Sequence, residues 1–308
     1  MVSVVIPTHN RAADLYSCIT SLLDQIGDDD ELIVIDNCST DRTQEILGLI
    51  KLKVRHLKVI CDCSNNLARL FNLGWRASKC SYVSFLNDDT VPDAFWLSDT
   101  KLWFRELSDA SIIGGPTKDM IPRRMRQNSL WMKVALRLYD VLIMEGRFHD
   151  VGILTDYGAY SIGDAFPNHP IEVDCLTITN MSVKKQTLEI LGGFDESYQY
   201  ANIDGDFFLR ARKANMKLYA VPTASVNHFP NPTGATRSAF FLARDSAIFF
   251  ARLKPHNFKS FFRLQLNIAS FFLFWFLRSW TEGFHVFLQT LAGYRSGLQV
   301  VKELDEQP

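Results

Sequence analysis

The sequence predicts an α/β protein with a mostly parallel central sheet and a helical C-terminal extension. Three observations lead there. Short β-branched runs alternate with helix-period stretches through the first 90 residues, the pattern of strand–helix–strand crossovers. The composition, 47% hydrophobic and 22% charged, is that of an ordinary globular protein and excludes a disordered or collagen-like chain. Beyond Phe240 the chain turns aromatic and basic, with six Lys/Arg against Glu282 alone in residues 251–300. A length of 308 residues suits two domains, or one large α/β domain with an appendage. With 33 basic and 34 acidic residues the net charge is −1, so the electrostatic footprint of a nucleic-acid-binding protein is missing.

In chain order, Val2–Ile6 is a β-branched run ended by Pro7, as a buried parallel strand would be. Leu15, Ile19, Leu22, Leu23 and Ile26 recur at helical spacing over 12–26, and Gly27 closes that segment. Asp28–Glu31 reads as a solvated turn. Leu32–Ile35 is a second strand running into Asp36-Asn37, and a helix from Asp41 to Ile50 follows with Ser39 or Thr40 as its cap. Val54–Ile60, a helix over 65–78, and Tyr82–Leu86 running into Asn87-Asp88-Asp89 complete the alternation. A parallel sheet binds its ligands beyond the carboxyl ends of its strands, where these polar residues fall.

Residues 95–170 are less regular. Arg123, Arg124, Arg126, Lys133 and Arg137 interleave with Leu130, Trp131, Val134 and Leu138, giving a basic amphipathic segment that is either a solvated helix face or an acceptor- or membrane-facing flap. From 171 to 228 the pattern returns to α/β, with a strand near Val173–Thr179, helices near 183–191 and 205–214, and a strand at Leu218–Val221. The uncharged stretch Leu264–Leu277 is 14 residues. As a helix it would be about 21 Å long against a hydrocarbon core of ~30 Å, too short to span comfortably. Flanking Lys254, Lys259, Arg263 and Arg278 favour a helix lying on an anionic membrane surface over a core helix or an oligomer contact.

Six cysteines occur, at 18, 38, 61, 63, 80 and 175, and no spacing among them matches a CxxC redox pair or a zinc site. Reduced, mostly buried thiols are the expectation. The opening Met-Val-Ser-Val-Val-Ile lacks a charged region and a cleavage site, so no signal peptide and a cytoplasmic location are expected.

Three acidic clusters end predicted strands or open predicted helices: Asp36, Asp88-Asp89, and Asp204 with Asp206. A single carboxylate so placed is explained by capping. Three converging on one sheet edge suit Mg²⁺ or Mn²⁺ bridging a diphosphate. No GxxxxGK[ST] and no GxGxxG occurs, so binding through a glycine cradle is not expected.

The order of these motifs resembles family 2 glycosyltransferases of the GT-A fold. Val2–Arg11 (Val-Ser-Val-Val-Ile-Pro-Thr-His-Asn-Arg) resembles their opening strand and loop, and Ile33–Asp41 their second strand and its loop. Phe85–Pro92 sits where the family carries its DxD signature, here Asn87-Asp88-Asp89. Leu191–Glu196, then Asp204-Gly-Asp-Phe-Phe-Leu-Arg210 and His228, resemble the acceptor-side half. The resemblance implies a glycosyltransferase domain over 1–230, with its nucleotide half in 1–95 and acceptor half in 96–230, and a membrane-associating helical region over 231–308.

By position, the resemblance implies that Pro7, Thr8 and Asn10 line a nucleotide pocket. Asp36 would accept from the base, and Asp88 would lie by the ribose or diphosphate. Asp89 and His228 would bind the metal, Asp204 would act as general base, and Asp195, Glu196 and Asp206 would shape the acceptor side. Two departures stand out: Asn87 opens the DxD-like signature, and Ile203 precedes the base where the family usually has Glu. With no QxxRW string, single-sugar transfer fits better than processive polymerisation.

The implied activity is inverting, metal-dependent transfer from a UDP- or dTDP-sugar to a glycan or lipid-linked acceptor. It would take place at the inner face of the cell membrane. A non-catalytic, membrane-associated sugar-nucleotide-binding or scaffold protein is the alternative. A sugar-1-phosphate nucleotidyltransferase is disfavoured, because Pro7-Thr-His-Asn-Arg11 stands where such enzymes resemble one another in a glycine-rich loop.

Overall fold

The computed structural model describes residues 1–119, 152–155, 158–161, 168–229, 239–252 and 283–306. The first half is a run of crossovers: β1 (Val2–Thr8), α1 (Ala12–Thr20), β2 (Glu31–Asp36), α2 (Thr43–Lys51), β3 (Leu57–Cys61), α3 (Leu67–Ala77) and β4 (Tyr82–Leu86). There follow β5 (Thr90–Pro92), α4 (Trp96–Glu106), β6 (Ala110–Gly114), β7 (Thr117–Asp119), β8 (Gly152–Thr155) and β9 (Gly158–Ser161). Next come β10 (Ile171–Glu172), β11 (Asn180–Lys184), α5 (Lys185–Leu191), α6 (Ile203–Lys213), β12 (Lys217–Ala220) and β13 (Val226–His228). Helices α7 (Ala239–Arg252) and α8 (Gly283–Asp305) complete the described chain.

Eight strands form the main sheet in the order β10-β12-β6-β11-β4-β1-β2-β3. β1 pairs in parallel with β2 and β4, and β2 with β3, as right-handed crossovers require. β11 is antiparallel to both β4 and β6 and joins the two halves. Successive side chains of a strand point to opposite faces, so both faces of this sheet are apolar. Val5, Ile33, Ile35, Val83 and Phe85 pack beneath α3, α5 and α6. Val4, Ile6, Leu32 and Val34 pack against α1 and α2. An aromatic cluster fills the first face, with Phe194 5.2 Å from Phe85 and 4.7 Å from Phe207 between ring centroids. Ile248 and Phe249 of α7 enter that same core, and Val300 and Val301 of α8 pack against it.

A smaller sheet of β5, β13 and β7 lies beside the main one. Its register pairs His228 with Thr90, and Phe229 N–H donates to Asp89 O at 2.8 Å, carrying a distant residue to the end of β4.

Several elements differ from the sequence expectation for local reasons. The first helix ends at Thr20 rather than 26. The Gln25 side chain donates to Ser21 O and Asp93 O and accepts from Leu97 N–H, docking residues 21–26 on the start of α4. The second helix begins at Thr43, whose N–H and hydroxyl both go to Asp41 Oδ1, while Thr40 donates to Asn10 instead of capping. No strand occupies 173–179. Thr177 accepts from Thr179 N–H through its hydroxyl and from Asn180 N–H through its carbonyl, which turns the chain between β10 and β11. Gly192, in the left-handed region at φ 73°, caps α5 as its position after Leu191 predicts.

The cysteine expectation is corrected. Cys38 and Cys63 form a disulfide, their Cα atoms 5.2 Å apart, while Cys18, Cys80 and Cys175 are buried thiols outside any disulfide and Cys61 is an exposed one. The bonded pair was invisible as a spacing because the loops after β2 and β3 bring it together. The basic segment around Arg123–Arg137 and the stretch Leu264–Leu277 lie outside the described residues. No described helix is long and apolar enough to cross a membrane.

Candidate active site at the carboxyl edge of the sheet

Strands β1, β2 and β4 end together, because their parallel register sets Thr8 beside Asp36 and Val5 beside Phe85. Thr8 Oγ1 therefore reaches Asp88 Oδ2, donating at 2.8 Å. Arg11, just past β1, donates through Nη1 to Asp88 Oδ1 at 3.0 Å and to Asp89 Oδ2 at 2.6 Å. Asp88 and Asp89 are buried, at 5% and 7% exposure. Burial pushes the Asp88 carboxyl up to about 6 in spite of Arg11 and Thr8. Burial acts on Asp89 in the same direction, but His228 and Arg11 outweigh it and hold that carboxyl below the usual range.

His228 Nε2 stands 3.4 Å from Asp89 Oδ1, and that buried oxygen has no hydrogen-bond partner. An orphaned carboxylate oxygen beside an imidazole nitrogen fits one side of a divalent cation site. Among the described residues no three His, Cys, Asp or Glu side chains surround one point, so the protein offers a pair. Mg²⁺-type sites commonly use one or two protein ligands and complete their shell with substrate phosphate and water. Asp89 and His228 could hold such an ion.

The residues expected to contact a nucleotide lie on the neighbouring loops. Pro7 ends β1 opposite Ile35. Asn10, at φ 51°, accepts through Oδ1 from the N–H groups of Thr40 and Asp41, so its side chain shapes the loop after β2. Asp36 is buried and accepts from Ser39 N–H at 3.0 Å and from the Gln44 amide. The Cys38–Cys63 bond and the Asn37–Asn65 hydrogen bonds tie this loop to the one after β3.

The four carboxylates Asp195, Glu196, Asp204 and Asp206 separate by partner. Asp195 pairs with Arg252 of α7 and accepts from Ser197 N–H. Burial by itself would raise its pKa, but these contacts hold it below the usual range. Glu196 accepts from Asn72 at 2.8 Å and meets Arg69 and Arg76 of α3. Asp206 pairs with Arg210 one helical turn on, at 2.7 Å. Asp204 is different. It is half-buried at the start of α6, accepts from Gly205 N–H at 2.9 Å, and has no cationic partner among the described residues. Burial raises its pKa above the ordinary carboxylate value. A poised, unpaired carboxylate of this kind is what proton abstraction needs.

Sequence reasoning passed over Arg11, although it closes the Pro7–Arg11 loop and is the only cation in it. It also passed over Asp245 of α7, which is fully buried and accepts three backbone N–H bonds from residues 199–201. No local pattern marked that residue.

Over 116 residues the chain is 34% identical to the poly(ribitol-phosphate) β-N-acetylglucosaminyltransferase TarP of Staphylococcus aureus, a stretch covering 37% of this chain and 36% of TarP. The matched stretches span 14–36% of the first three curated relatives' own lengths. The crystal structure of S. aureus TarS 1–349 with UDP-GlcNAc superposes over 97% of this chain and 81% of that one, at 17% identity and a TM-score of 0.57. The mannosyltransferase PcManGT of Pyrobaculum calidifontis with GDP-Man and Mn²⁺ does so over 99% and 78%, at 15% identity and a TM-score of 0.56. The shared architecture is the GT-A fold. The sequence profile of glycosyl transferase family 2 matches residues 3–161, half of the chain and all of the Thr8–Arg11–Asp36–Asp88–Asp89 edge, and the chain belongs to that family.

Proposed function

We propose that the protein is an inverting glycosyltransferase. It moves one sugar from a nucleotide-diphosphate sugar to a glycan or lipid-linked acceptor in cell-envelope polysaccharide or glycoconjugate synthesis, with Mn²⁺ or Mg²⁺. The observation that carries this reading is the Asp88–Asp89 pair at the end of β4. One of its oxygens is left open beside His228, and Arg11 is poised across both carboxylates. TarS and PcManGT, which share the fold, were crystallised with sugar nucleotides, and PcManGT with Mn²⁺.

The nucleotide lies over the loops after β1 and β2, against Pro7, Thr8 and Asn10. Asp36 retains free lone pairs beyond those used by Ser39 and Gln44 and accepts the N3–H of uracil or thymine. Asp88 faces the ribose and diphosphate. A divalent cation on Asp89 and His228 would supply charge stabilisation to the departing diphosphate. Arg11 adds a second positive charge at the same place. Asp204 accepts the proton of the acceptor hydroxyl as its oxygen bonds to the anomeric carbon. The carbon–oxygen bond to the diphosphate breaks, and its electron pair leaves with the nucleoside diphosphate. Attack opposite the leaving group inverts the anomeric centre. Asp195, Glu196 and Asp206, each held by a cation, shape the acceptor wall. The aromatic stretch Leu264–Leu277 with its flanking basic residues supports peripheral contact with an anionic membrane face.

Calorimetric titration with UDP, dTDP and GDP, each with and without Mn²⁺, tests the reading. Metal-dependent binding of UDP or dTDP that is lost in Asp89→Ala is the expected outcome. Absence of binding to all three nucleotides under both conditions would move the assignment to a non-catalytic scaffold.

A further inference from the structure

The segment from Phe194 to Asn202 leads directly into α6 and Asp204, and it is clamped from two sides. On the α3 side, Asn72 Nδ2 donates to Phe194 O at 2.8 Å, Asn66 Nδ2 to Glu196 O at 2.8 Å, and Leu67 N–H to Gln199 O at 2.9 Å. On the α7 side the clamp is three consecutive residues. Arg244 Nη1 donates to Ser197 O at 3.0 Å and to Asp245 Oδ1 at 2.6 Å. Asp245 Oδ2 accepts the N–H groups of Gln199, Tyr200 and Ala201 at 3.0, 2.7 and 2.9 Å. Ser246 Oγ accepts from the Asn202 amide at 3.3 Å.

Asp245 is 0% exposed, and Arg244 and Ser246 are buried beside it. Burying a carboxylate is costly unless it is both paired and hydrogen-bonded; here Arg244 supplies the pairing, and the three backbone bonds are all spent on one short loop. Asn202, the last residue of that loop, stands in the left-handed region at φ 56° and opens α6. Behind α7, α8 packs closely. A side chain at Gly293 would collide with Phe240 O, and one at Gly297 with Arg244 O, so these glycines let α8 press on the backbone that carries the clamp.

We propose that Asp245 is a positioning residue that sets the placement of Asp204 by fixing the 199–201 backbone, so that α7, backed by α8, is part of the catalytic apparatus. The proposal rests on Asp204 being the general base. Displacement of a catalytic group by about 1 Å costs up to ~10²-fold in rate. Loss of the clamp should therefore appear in kcat and leave the donor pocket alone.

The test uses the full chain with Asp245→Ala, Asp245→Asn and Asp204→Asn. Turnover is read as UDP release from a panel of UDP-sugars, donor-site integrity as the Kd of UDP with Mn²⁺, and the clamp as hydrogen exchange at residues 199–201. Asp245→Ala should lower kcat at least ~10-fold, keep the UDP Kd within about twofold, and speed exchange at 199–201. Asp245→Asn, whose amide oxygen still accepts from the same N–H groups, should recover part of both, and it carries the test if the alanine variant fails to fold. A merely structural role would weaken UDP binding and kcat together with no rescue. Unchanged exchange at 199–201, or unchanged kcat in Asp245→Ala while Asp204→Asn is inactive, overturns this inference alone. Full activity of Asp204→Asn overturns the base assignment and this inference with it.

Discussion

Arg11 Nη1 lies 3.0 Å from Asp88 Oδ1 and 2.6 Å from Asp89 Oδ2, so a single guanidinium bridges two adjacent buried carboxylates. The three charges sum to −1, which leaves the edge of the sheet able to attract a divalent cation without the repulsion of two bare acids. The same guanidinium is available to the phosphates once a metal is bound at Asp89.

That relationship sets the first expectation. Removing one partner of a buried ionic group costs ~3–5 kcal/mol, and solvent reaches 21% of the Arg11 side chain, which lowers the figure. Arg11→Ala should destabilise the metal-free protein by about 2–3 kcal/mol in urea unfolding. Mn²⁺ with UDP should raise the variant's Tm by more than that of the parent, because the ion takes over the neutralisation of Asp89. Equal metal-induced shifts in the two proteins would show that guanidinium and cation do not share the site.

The second expectation concerns Asp204 and pH. Its pKa is raised by burial, so its deprotonated, proton-accepting form is lost at a higher pH than for an ordinary carboxylate near ~3.9. The acid limb of the pH–kcat profile should accordingly lie above that value, with activity present above the limb and falling as pH drops through it. Asp204→Asn should lower kcat at least ~10²-fold while leaving the UDP Kd nearly unchanged. Stability has the opposite sign. The native state favours the protonated acid, so the charged form lowers stability as pH rises from the unfolded value through the raised one. The Asn variant, having no charge to bury, should be the more stable protein at pH 7 and lose that advantage on acidification. A variant less stable than the parent at pH 7 would contradict this.

A third expectation follows from Cys38–Cys63, which closes a loop with a sequence separation of 25 and straps the loops beyond Asp36 and Cys61 together. Replacing both cysteines by serine should cost about 2–4 kcal/mol by chain-entropy arithmetic. Thermal unfolding with and without reductant checks it: the parent should lose stability on reduction, and the double variant should be indifferent.

How legible all this was in the sequence differs from residue to residue. Asp36, Asp88 and Asp89 were readable because they follow the strands expected at Leu32–Ile35 and Tyr82–Leu86, and the ends of parallel strands converge by construction; Thr8 was implied only by the family resemblance. The Asp206–Arg210 pair went unread although acid and base stand four apart on a helix, and it separates Asp206 from its neighbour two residues earlier. The first helix was overread because Gln25 spends its amide on Asp93 and Leu97, contacts that no helical period announces. Thr177 broke the expected strand at 173–179 by bonding its own neighbourhood, a competition that β-branched composition conceals.

By itself, then, the sequence determined what depends on neighbours a few positions away. That covers the strand–helix alternation, the two apolar faces of the sheet, the glycine cap at Gly192, and the placement of Asp36, Asp88 and Asp89 at the carboxyl ends of β2 and β4. Apart from the local Asp206–Arg210 pair, the tertiary structure decided which carboxylates are paired and which is left open. β13 had to pair with β5 before His228 could stand beside Asp89, and the loops after β2 and β3 had to meet before Cys38 could find Cys63. Asp245 had to be delivered by α7 to a loop 44–46 residues earlier. The reason is physical: propensity and periodicity act within a turn or a strand, whereas these contacts form between segments whose proximity is set by strand order and core packing.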